Sequence, residues 1–425
     1  MSVWLQNVLT DVANSDSWGQ ETLWLKPKRQ QSLALLQTHS WPTRKTEDWK
    51  YTPLKVLERT DLNAISAEPA ALVGKISGLD TIDLVFVDGR FDANQSTFTS
   101  LQGLSIVSLA EADEATQSWA LELFSKIKPE RHLFGLLNDL LCREGMIIDV
   151  APGCKIDKPI RLVQQLSAGA EAHTRLLVRL GEGAQASVIE HYMGSASSFN
   201  TGVAEYSIGM RAKLEHYRFA LQTDAAMSIG GCYFELGEKS ALNSTLIAFG
   251  STLSRVDVDI HHAGEFAHAK FNTIYLLDGT ELFDLHATVE HAVANGITEE
   301  NIRCIVAGHA RAVFNGRIHI HRNAQKTLAE LNNRNLLLSD HAEINTKPEL
   351  EIYADDVRCA HGATIAAIDE QALYYLQSRG ISRGAAQVLL SFGFINELVD
   401  QMPNALLAEW LRPQLRERFA QMKVN

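Results

Sequence analysis

From residue 146 to residue 360 apolar residues recur at every second position, and this alternation restricts the fold more than any other feature of the chain. Side chains two positions apart leave a β-strand on the same face. In RVDVDIH, Val256, Val258 and Ile260 therefore share one face, and in RIHIH the residues Ile318 and Ile320 do the same. Long helical patterns are almost absent from this region, so we predict a run of many β-strands.

Small residues return at nearly regular intervals along the strand-rich region. They occur in similar local phrases at Ala186, Ala212, Ser240, Ala267, Ala312 and Ala342. The successive gaps are 26, 28, 27, 45 and 30 residues, a loose period in the high twenties with one gap long enough to hold an extra turn. Such a period predicts a mainly β fold, a β-solenoid whose coils each bury a small corner residue on the next coil. An antiparallel sandwich is the alternative, and it favours turn signals about every 8–12 residues.

Helical periodicity flanks the strand-rich region on both sides. Near the N-terminus apolar residues recur at helical spacing, at Leu5, Val8, Leu9 and Val12. A short strand is predicted in DLVFVDG, and an amphipathic helix that ends at Gly145 is predicted in HLFGLLNDLLCREG. Beyond Ile365 the sequence predicts three further helices.

These patterns divide the chain into three regions. We predict a mostly helical N-terminal region at 1–145, a β-helix core at 146–361 and a helical C-terminal domain at 362–425. A helical appendage at the end of a solenoid caps the stack or docks a partner.

The charge of the chain limits its partners. The formal net charge is −12, so nucleic acid and anionic membrane surfaces would be repelled, and we expect neither as a partner. The first residues, MSVWLQNVLTDVANSDSW, lack a basic start, and no apolar run long enough to span a bilayer follows. We therefore expect a cytoplasmic protein.

The five cysteines are scattered. They stand at Cys142, Cys154, Cys232, Cys304 and Cys359, with no CxxC pair among them. This spacing argues against a disulfide framework and against a self-contained zinc or iron–sulfur site. Any metal chemistry would need ligands from elsewhere.

Nucleotide chemistry is not predicted for this chain. GEGAQA at 181–186 matches the glycine pattern of dinucleotide-binding loops, but no crossover helix follows it, so we interpret it as a solenoid corner. The sequence contains no GxxxxGK[ST] loop, so we expect no ATP hydrolysis by this chain. It also lacks the G-x-S-x-G elbow of a serine nucleophile.

Histidines are numerous, and one pair resembles a metal motif. His319 and His321 in GRIHIHRNAQK share a face, as in the start of a cupin metal site. That motif requires a carboxylate four or five residues later, where this chain has Gln325 and Lys326. We therefore expect these two to be surface or hydrogen-bonded strand histidines, and the same holds for His261, His262, His268, His286 and His291.

The stretch DDVRCAHGATI at 355–365 holds a cysteine and a histidine two positions apart. In an extended backbone Cys359 and His361 point to the same side, which is half a metal site, half a nucleophilic dyad, or an ordinary strand end. Dyads are normally assembled from distant segments, so we favour a metal site whose remaining ligands come from elsewhere, most simply from another chain.

Five blocks of sequence resemble the SufB/SufD family of the SUF iron–sulfur cluster assembly system. They are PTRKTEDWKYTPL (42–54), VFVDGRF (85–91), FGLLNDLLCREGMIIDVAPG (134–153), NNRNLLLSDHAEINTKPELEIYADDVRCAHGATI (332–365) and LYYLQSRGISRGAAQVLLSFGF (373–394). Within the family the chain is most like SufD, because the sister subunit SufB carries a His-Glu pair where this chain has His361 and Gly362.

The resemblance implies a right-handed parallel β-helix flanked by helical regions, which agrees with the periodicities. It also implies partners: a SufB-like subunit and a SufC-like ABC ATPase docked on the C-terminal helices. Because the open edge of a β-helix favours pairing, we also expect a homodimer when the chain is alone. The resemblance further implies that His361, with Cys359 adjacent, is this chain's ligand to a transient iron–sulfur cluster shared with SufB, and that the isolated chain holds no stable cofactor. The chain would then be a non-catalytic scaffold, and the alternative is a metal-dependent enzyme on a β-solenoid or cupin-like fold.

Overall fold

The computed structural model describes residues 3–14, 20–60, 74–97 and 100–422, and parts of the predicted N-terminal region, at 61–73 and 98–99 among others, lie outside them. Within these residues the helices are α1 (Val3–Asn14), α2 (Lys26–Thr38), α3 (Lys55–Arg59), α4 (Glu114–Leu123), α5 (Leu133–Leu141), α6 (Glu370–Ser378), α7 (Arg383–Asp400) and α8 (Ala405–Gln421), with 3-10 helices at Gln20–Leu25 and Glu47–Trp49. No helix among them combines the length and the apolarity needed to cross a membrane.

The strands come in two groups. Before the solenoid lie β1 (Ile82–Val87), β2 (Arg90–Phe91) and β3 (Leu104–Ser108). The solenoid itself consists of β4 (Glu144–Val150), β5 (Ile160–Gln165), β6 (Glu171–Leu180), β7 (Gln185–Met193), β8 (Ser198–Ile208), β9 (Lys213–Ala220), β10 (Ala226–Leu236), β11 (Ala241–Ala248), β12 (Leu253–His262), β13 (His268–Leu277), β14 (Leu282–His291), β15 (Ile297–Val306), β16 (Arg311–Ile320), β17 (Leu328–Leu337), β18 (Glu343–Ile352) and β19 (Arg358–Ala367).

Successive solenoid strands alternate between two sheets, as the coils of a β-solenoid require. The ten-stranded sheet has the order β19-β17-β15-β13-β11-β9-β7-β5-β1-β2, and the nine-stranded sheet has the order β18-β16-β14-β12-β10-β8-β6-β4-β3. From β4 to β19 every pairing within a sheet is parallel. The predicted mainly β solenoid with helical ends is confirmed, and the sandwich alternative is wrong.

The register explains the period of the sequence. Ala241 in β11 pairs with Lys213 in the preceding coil and with His268 in the following coil, so one coil takes 28 or 27 residues here. The wide gap of 45 residues between Ala267 and Ala312 is longer than one coil because Ala267 precedes β13 of the ten-stranded sheet, whereas Ala312 lies in β16 of the other sheet. That gap therefore spans one coil plus the step between the sheets.

The core fills the space between the two sheets. Val256, Val258 and Ile260 of β12 point inward, and Ile318 of β16 lies two coils further along the column of Ile260, next to the inward Ile320; all of them are buried. Each buried aliphatic side chain of this size contributes about 1.5–3 kcal/mol relative to an exposed one. The alternation of the sequence therefore sets which face of each strand becomes the interior.

Helices cover the outer face of each sheet. Side chains of α1, α2 and α5, such as Leu5, Leu36 and Phe134, form a second core with outward residues of the nine-stranded sheet, such as Phe199 and Ile229. The helices α7 and α8 cover the ten-stranded sheet in the same way.

Two details of the predicted boundaries differ in the structure. The helix α5 ends at Leu141, and Gly145 lies inside β4, so the prediction that Gly145 ends the helix is wrong. A Cβ atom at Gly145 would overlap the backbone carbonyl oxygen of Arg175, and this close approach explains the glycine. The last strand, β19, continues to Ala367, so the predicted limit between 361 and 362 falls within a strand.

Candidate functional site

Cys359 and His361 lie on β19 and point to the same side of it. Cys359 pairs with Ala329 of β17, and His361 pairs with Leu331, both of which belong to the buried interior. The two side chains therefore continue the inward-facing columns of the solenoid, as the two-residue spacing predicts.

The solenoid is open at the end where these residues lie. The strands β18 and β19 are the last strands of their sheets, so each offers one unpaired edge. Because no further coil covers them among the described residues, inward residues of this end are exposed: Ile352 is 41% and Ile365 is 47% exposed, and His361 is exposed as well. At the opposite end the short strands β2 and β3 pair antiparallel with the sheets.

Cys359 and His361, the two potential metal ligands at the open end of the solenoid, differ in their surroundings. Cys359 is part-buried against the core, and burial raises the pKa of its thiol, while the backbone N–H of Ala329 offsets part of that rise. The thiol is thus neutral near pH 7 unless a cation or a metal ion approaches it. His361 is exposed, and neither side chain hydrogen bonds with the other within the described chain, so the structure assembles no nucleophilic dyad here.

One thiol and one imidazole are an incomplete ligand set. Iron–sulfur clusters are commonly held by four protein ligands, mostly thiolates, and histidine occurs at some clusters. The remaining cysteines do not supply the rest. Cys142, Cys232 and Cys304 are fully buried, and burial raises the pKa of each thiol. Cys154 packs beside Gly103 at the opposite end of the solenoid. Any cluster at this end needs ligands from a second chain.

A buried charged network lies further inside the solenoid, and no local sequence pattern revealed it. The Glu190 carboxylate accepts hydrogen bonds from the Tyr192 hydroxyl (2.7 Å), the Tyr206 hydroxyl (2.9 Å), Nε2 of His216 (2.9 Å) and the Arg218 guanidinium (2.8 Å). Burial acts against ionisation, yet the Arg218 charge and the hydrogen bonds lower the pKa of Glu190 to about 2. The carboxylate is therefore ionised and fully satisfied.

Three members of this region have the residue types of a metal site. Ligand atoms of Glu190, His216 and Cys232 lie within 4.8 Å of one another. A metal ion there would have to displace the Arg218 cation, which is 1% exposed, and deprotonate a thiol whose pKa burial raises. The network is therefore an internal ion pair rather than a metal centre.

Exposed apolar side chains also mark the C-terminal helices. Tyr374 of α6 is 74% exposed, and Leu389 of α7 is 54% exposed. By contrast, Ile395 and Leu398 on α7 are buried against the ten-stranded sheet. The helices thus bind the solenoid with one face and present another to solvent.

Comparisons with known proteins agree with this architecture. The model of the SUF system FeS cluster assembly SufBD core domain matches residues 163–394, and that of the SufBD protein N-terminal region matches residues 19–162. The iron–sulfur cluster assembly protein SufD of Escherichia coli is 32% identical over 404 residues, 93% of this chain and 92% of that protein. An iron–sulfur cluster assembly SufBD family protein of Synechocystis is 28% identical over 93% of this chain and 91% of its own length. The chloroplastic protein ABCI7 of Arabidopsis thaliana is 26% identical over 91% of this chain and 85% of its own length. The predicted resemblance is thereby confirmed, and the chain belongs to the SufBD family of the SUF iron–sulfur cluster assembly system.

Proposed function

We propose that this chain is a SufD-like scaffold subunit, without a reaction of its own, that helps assemble nascent iron–sulfur clusters at an interface with a SufB-like subunit. In this proposal His361 is the principal ligand that the chain contributes, and Cys359 is a neighbouring donor. The complex is coupled to a SufC-like ATPase and acts in the cytoplasm, where a reducing environment suits five cysteines that form no disulfide in the structure.

One observation carries the proposal: the donors stand on the last strand of an open solenoid. His361 lies on the strand beside which a further coil would stack, and Ile365 on the same strand is 47% exposed. The two unpaired sheet edges and the exposed apolar side chains favour binding of a second β-rich surface at this end. A partner that seals this end would place its own ligands beside His361.

The donor set also suits a scaffold that must release its cargo. A shared site with one imidazole and few thiolates is less closed than a four-cysteine cage, and it opens when the two chains move apart. The cluster is thus cargo that forms between the chains. In the absence of the partner, the same open end would pair with a second copy, giving the homodimer.

The exposed face of the C-terminal helices is the proposed docking surface for the ATPase. Its apolar side chains Tyr374 and Leu389 lie on α6 and α7, away from the face that packs on the solenoid. The chain itself supplies no P-loop, so the energy of ATP hydrolysis has to come from the partner.

The test is reconstitution with SufB-like and SufC-like partners under anaerobic conditions. The His361→Ala variant should assemble with normal stoichiometry because His361 is exposed, but iron and sulfide bound per complex should fall at least tenfold. The matched control is His341→Ala, an exposed histidine in the turn before β18, which should load like the wild type. A His361→Ala complex that assembles and loads clusters at the wild-type level would contradict the ligand assignment.

The alternative function, a metal-dependent enzyme, makes a different prediction. Its cupin-like form conflicts with the solenoid, and on the solenoid it requires turnover by the isolated chain. Turnover of a substrate by the purified protein without partners would favour the enzyme over the scaffold.

A further inference from the structure

Imidazoles and carboxylates alternate in one column on the outer face of the nine-stranded sheet. The register places His261 of β12 opposite Glu290 of β14, Glu290 opposite His319 of β16, and His319 opposite Glu351 of β18. Neighbouring strands lie about 4.8 Å apart, so consecutive side chains of the column are neighbours on the surface. The ligand atoms of Glu290, His319 and His321 do not all lie within 4.8 Å of one another, so the side chains have to close around a bound ion. Four potential metal ligands therefore follow one another on four successive coils.

A fifth potential ligand, another imidazole, lies at the end of the strand that carries His319. His321 lies two residues after His319 and points to the same side, and the centroids of the two imidazole rings are 4.5 Å apart. Nε2 of His321 lies 2.5 Å from a carboxylate oxygen of Glu290. Glu290 is thus the carboxylate that the HxH motif lacks in its own sequence segment, supplied by the preceding coil.

Glu351 orients His319 for metal binding. A carboxylate oxygen of Glu351 lies 2.7 Å from Nδ1 of His319, and the Arg317 guanidinium donates to both oxygens of the same carboxylate. Nδ1 of His319 also lies 3.0 Å from the Arg317 guanidinium, which only donates, but the shorter contact is with the carboxylate, which only accepts, and this assigns the proton to Nδ1. Nε2 then bears the free lone pair, the arrangement in which a carboxylate holds a metal-ligating histidine.

The charges of the column favour a cation. Glu290 lies between His261 and His319 in the strand register and contacts His321, so its carboxylate is surrounded by imidazole donors. The side chains of Glu290 and His321 are 44% and 43% exposed, which leaves them free to adjust.

We propose that Glu290, His319 and His321 form a surface site for a divalent transition metal ion, with His261 as a further donor within reach. Two imidazoles and a carboxylate suit borderline ions such as Fe²⁺, Co²⁺ and Zn²⁺ rather than Mg²⁺ or Ca²⁺. A metal ion replaces the proton between His321 and Glu290, and the two donor atoms separate from 2.5 Å to about 3.3 Å, the span of two bonds of roughly 2.0–2.1 Å at a tetrahedral centre.

This site is distinct from His361 and does not depend on the proposed function. His361 lies on β19 of the ten-stranded sheet and faces inward, whereas the column lies on the outside of the other sheet. A result on one site therefore leaves the other unaffected.

The test is metal binding by the purified full-length chain. Titration with Co²⁺, followed by visible absorption, and with Zn²⁺, followed by calorimetry, should show one site in the wild type. In the double variant His319→Ala/His321→Ala the affinity of this site should fall at least tenfold. The matched control is His309→Ala/His341→Ala, a surface pair whose rings stack with their centroids 4.7 Å apart; it should bind like the wild type. Equal affinity in the first variant, or equal loss in both, would overturn the proposal.

A second variant separates orientation from ligation. Glu351→Gln keeps all three ligands but weakens the hydrogen bond that fixes His319, so affinity should fall about tenfold while circular dichroism stays unchanged. Zn²⁺ affinity that is unchanged in Glu351→Gln would contradict the assigned role of Glu351.

Discussion

His361 lies opposite Leu331 in the register of β19 and β17, and Leu331 lies opposite Glu300 of β15, so the exposed histidine ends a column that begins in the sealed interior. Leu331 is 2% exposed and Glu300 is 1% exposed. The candidate ligand thus stands on a rigid, packed support while its own ring meets solvent. A substitution at His361 should therefore affect ligand binding with little effect on the stability of the fold.

The first prediction concerns Cys359. The Cys359→Ala variant should load fewer clusters than the wild-type complex but more than the His361→Ala complex, because the buried thiol is the poorer donor at neutral pH. Its part-buried contact with the core should cost about 1 kcal/mol of unfolding free energy. Iron and sulfide per assembled complex, together with urea unfolding of the isolated chain, measure both effects. Loading below that of His361→Ala would reverse the assigned roles.

The second prediction concerns the open end of the solenoid. Ile365→Lys places a charge on the edge strand and should convert the proposed homodimer to a monomer without unfolding it, since charged residues block edge pairing. Sedimentation velocity measures the change. The control is Leu23→Lys, a 49% exposed residue on an N-terminal 3-10 helix, which should leave the dimer intact. A dimer that persists in Ile365→Lys would place the contact elsewhere.

The third prediction concerns ATPase docking. Tyr374→Ala removes a 74% exposed aromatic side chain from α6 and should weaken capture of the SufC-like ATPase at least tenfold with an unchanged melting temperature, because exposed aromatic residues are frequent interface anchors. Leu406→Ala on α8, where Leu406 is 40% exposed, is the matched control. Truncation after Ile365 is a poor substitute, because it would also strip the cover from the ten-stranded sheet. Unchanged capture by Tyr374→Ala would exclude this part of α6.

The fourth prediction concerns the buried ion pair. Glu190→Gln leaves the Arg218 cation buried without a counter-charge and should cost about 3–5 kcal/mol of unfolding free energy. The pKa of Glu190 falls from 4.5 unfolded to about 2 folded, so its contribution is complete above about pH 4.5 and is lost as the pH falls toward 2. Urea unfolding at pH 7 and pH 3 measures both. Glu182→Gln, which breaks an exposed pair with Arg211, should change stability by less than about 1 kcal/mol, and an equal loss in both variants would contradict the prediction.

The fifth prediction concerns Glu300. Burial raises the pKa of its carboxyl to about 8, and both oxygens lack a hydrogen-bond partner among the described residues. The folded state therefore binds a proton that the unfolded chain has released, and stability falls as the pH rises from about 4.5 to about 8. Glu300→Gln removes this titration and should be more stable than the wild type by about 4 kcal/mol at pH 8 but by only about 1 kcal/mol at pH 5. Parallel stability curves for the two proteins between these pH values would refute it.

Much of the fold could be predicted because its signals are local. The alternation around Val256 and Ile318 fixes the inward face of each strand, since successive side chains of a strand point to opposite sides. The helical periods at both ends, and the strand that carries Cys359 and His361, follow from the same kind of short pattern. The assignment of His361 came from the resemblance to a family and stays a prediction.

Other features had no local signal. Gly145 follows a helix in the sequence, but its place is decided by the neighbouring strand, whose Arg175 carbonyl leaves no room for a side chain. The exposure of the solenoid end at Ile365 likewise depends on the absence of a further coil among the described residues, and no sequence pattern near Ile365 predicts it.

The sequence by itself determined the elements of this protein, their coil period and the face that each strand buries. Only the tertiary structure decided which polar side chains meet: Glu190 with Arg218 inside, and Glu290 with His319 and His321 outside. These partners are separated in the chain by roughly the length of one coil, which is the period of the parallel register. The hydrophobic alternation that folds each strand is the same whatever polar residue stands on the next coil, so the pairing exists only once the coils are stacked.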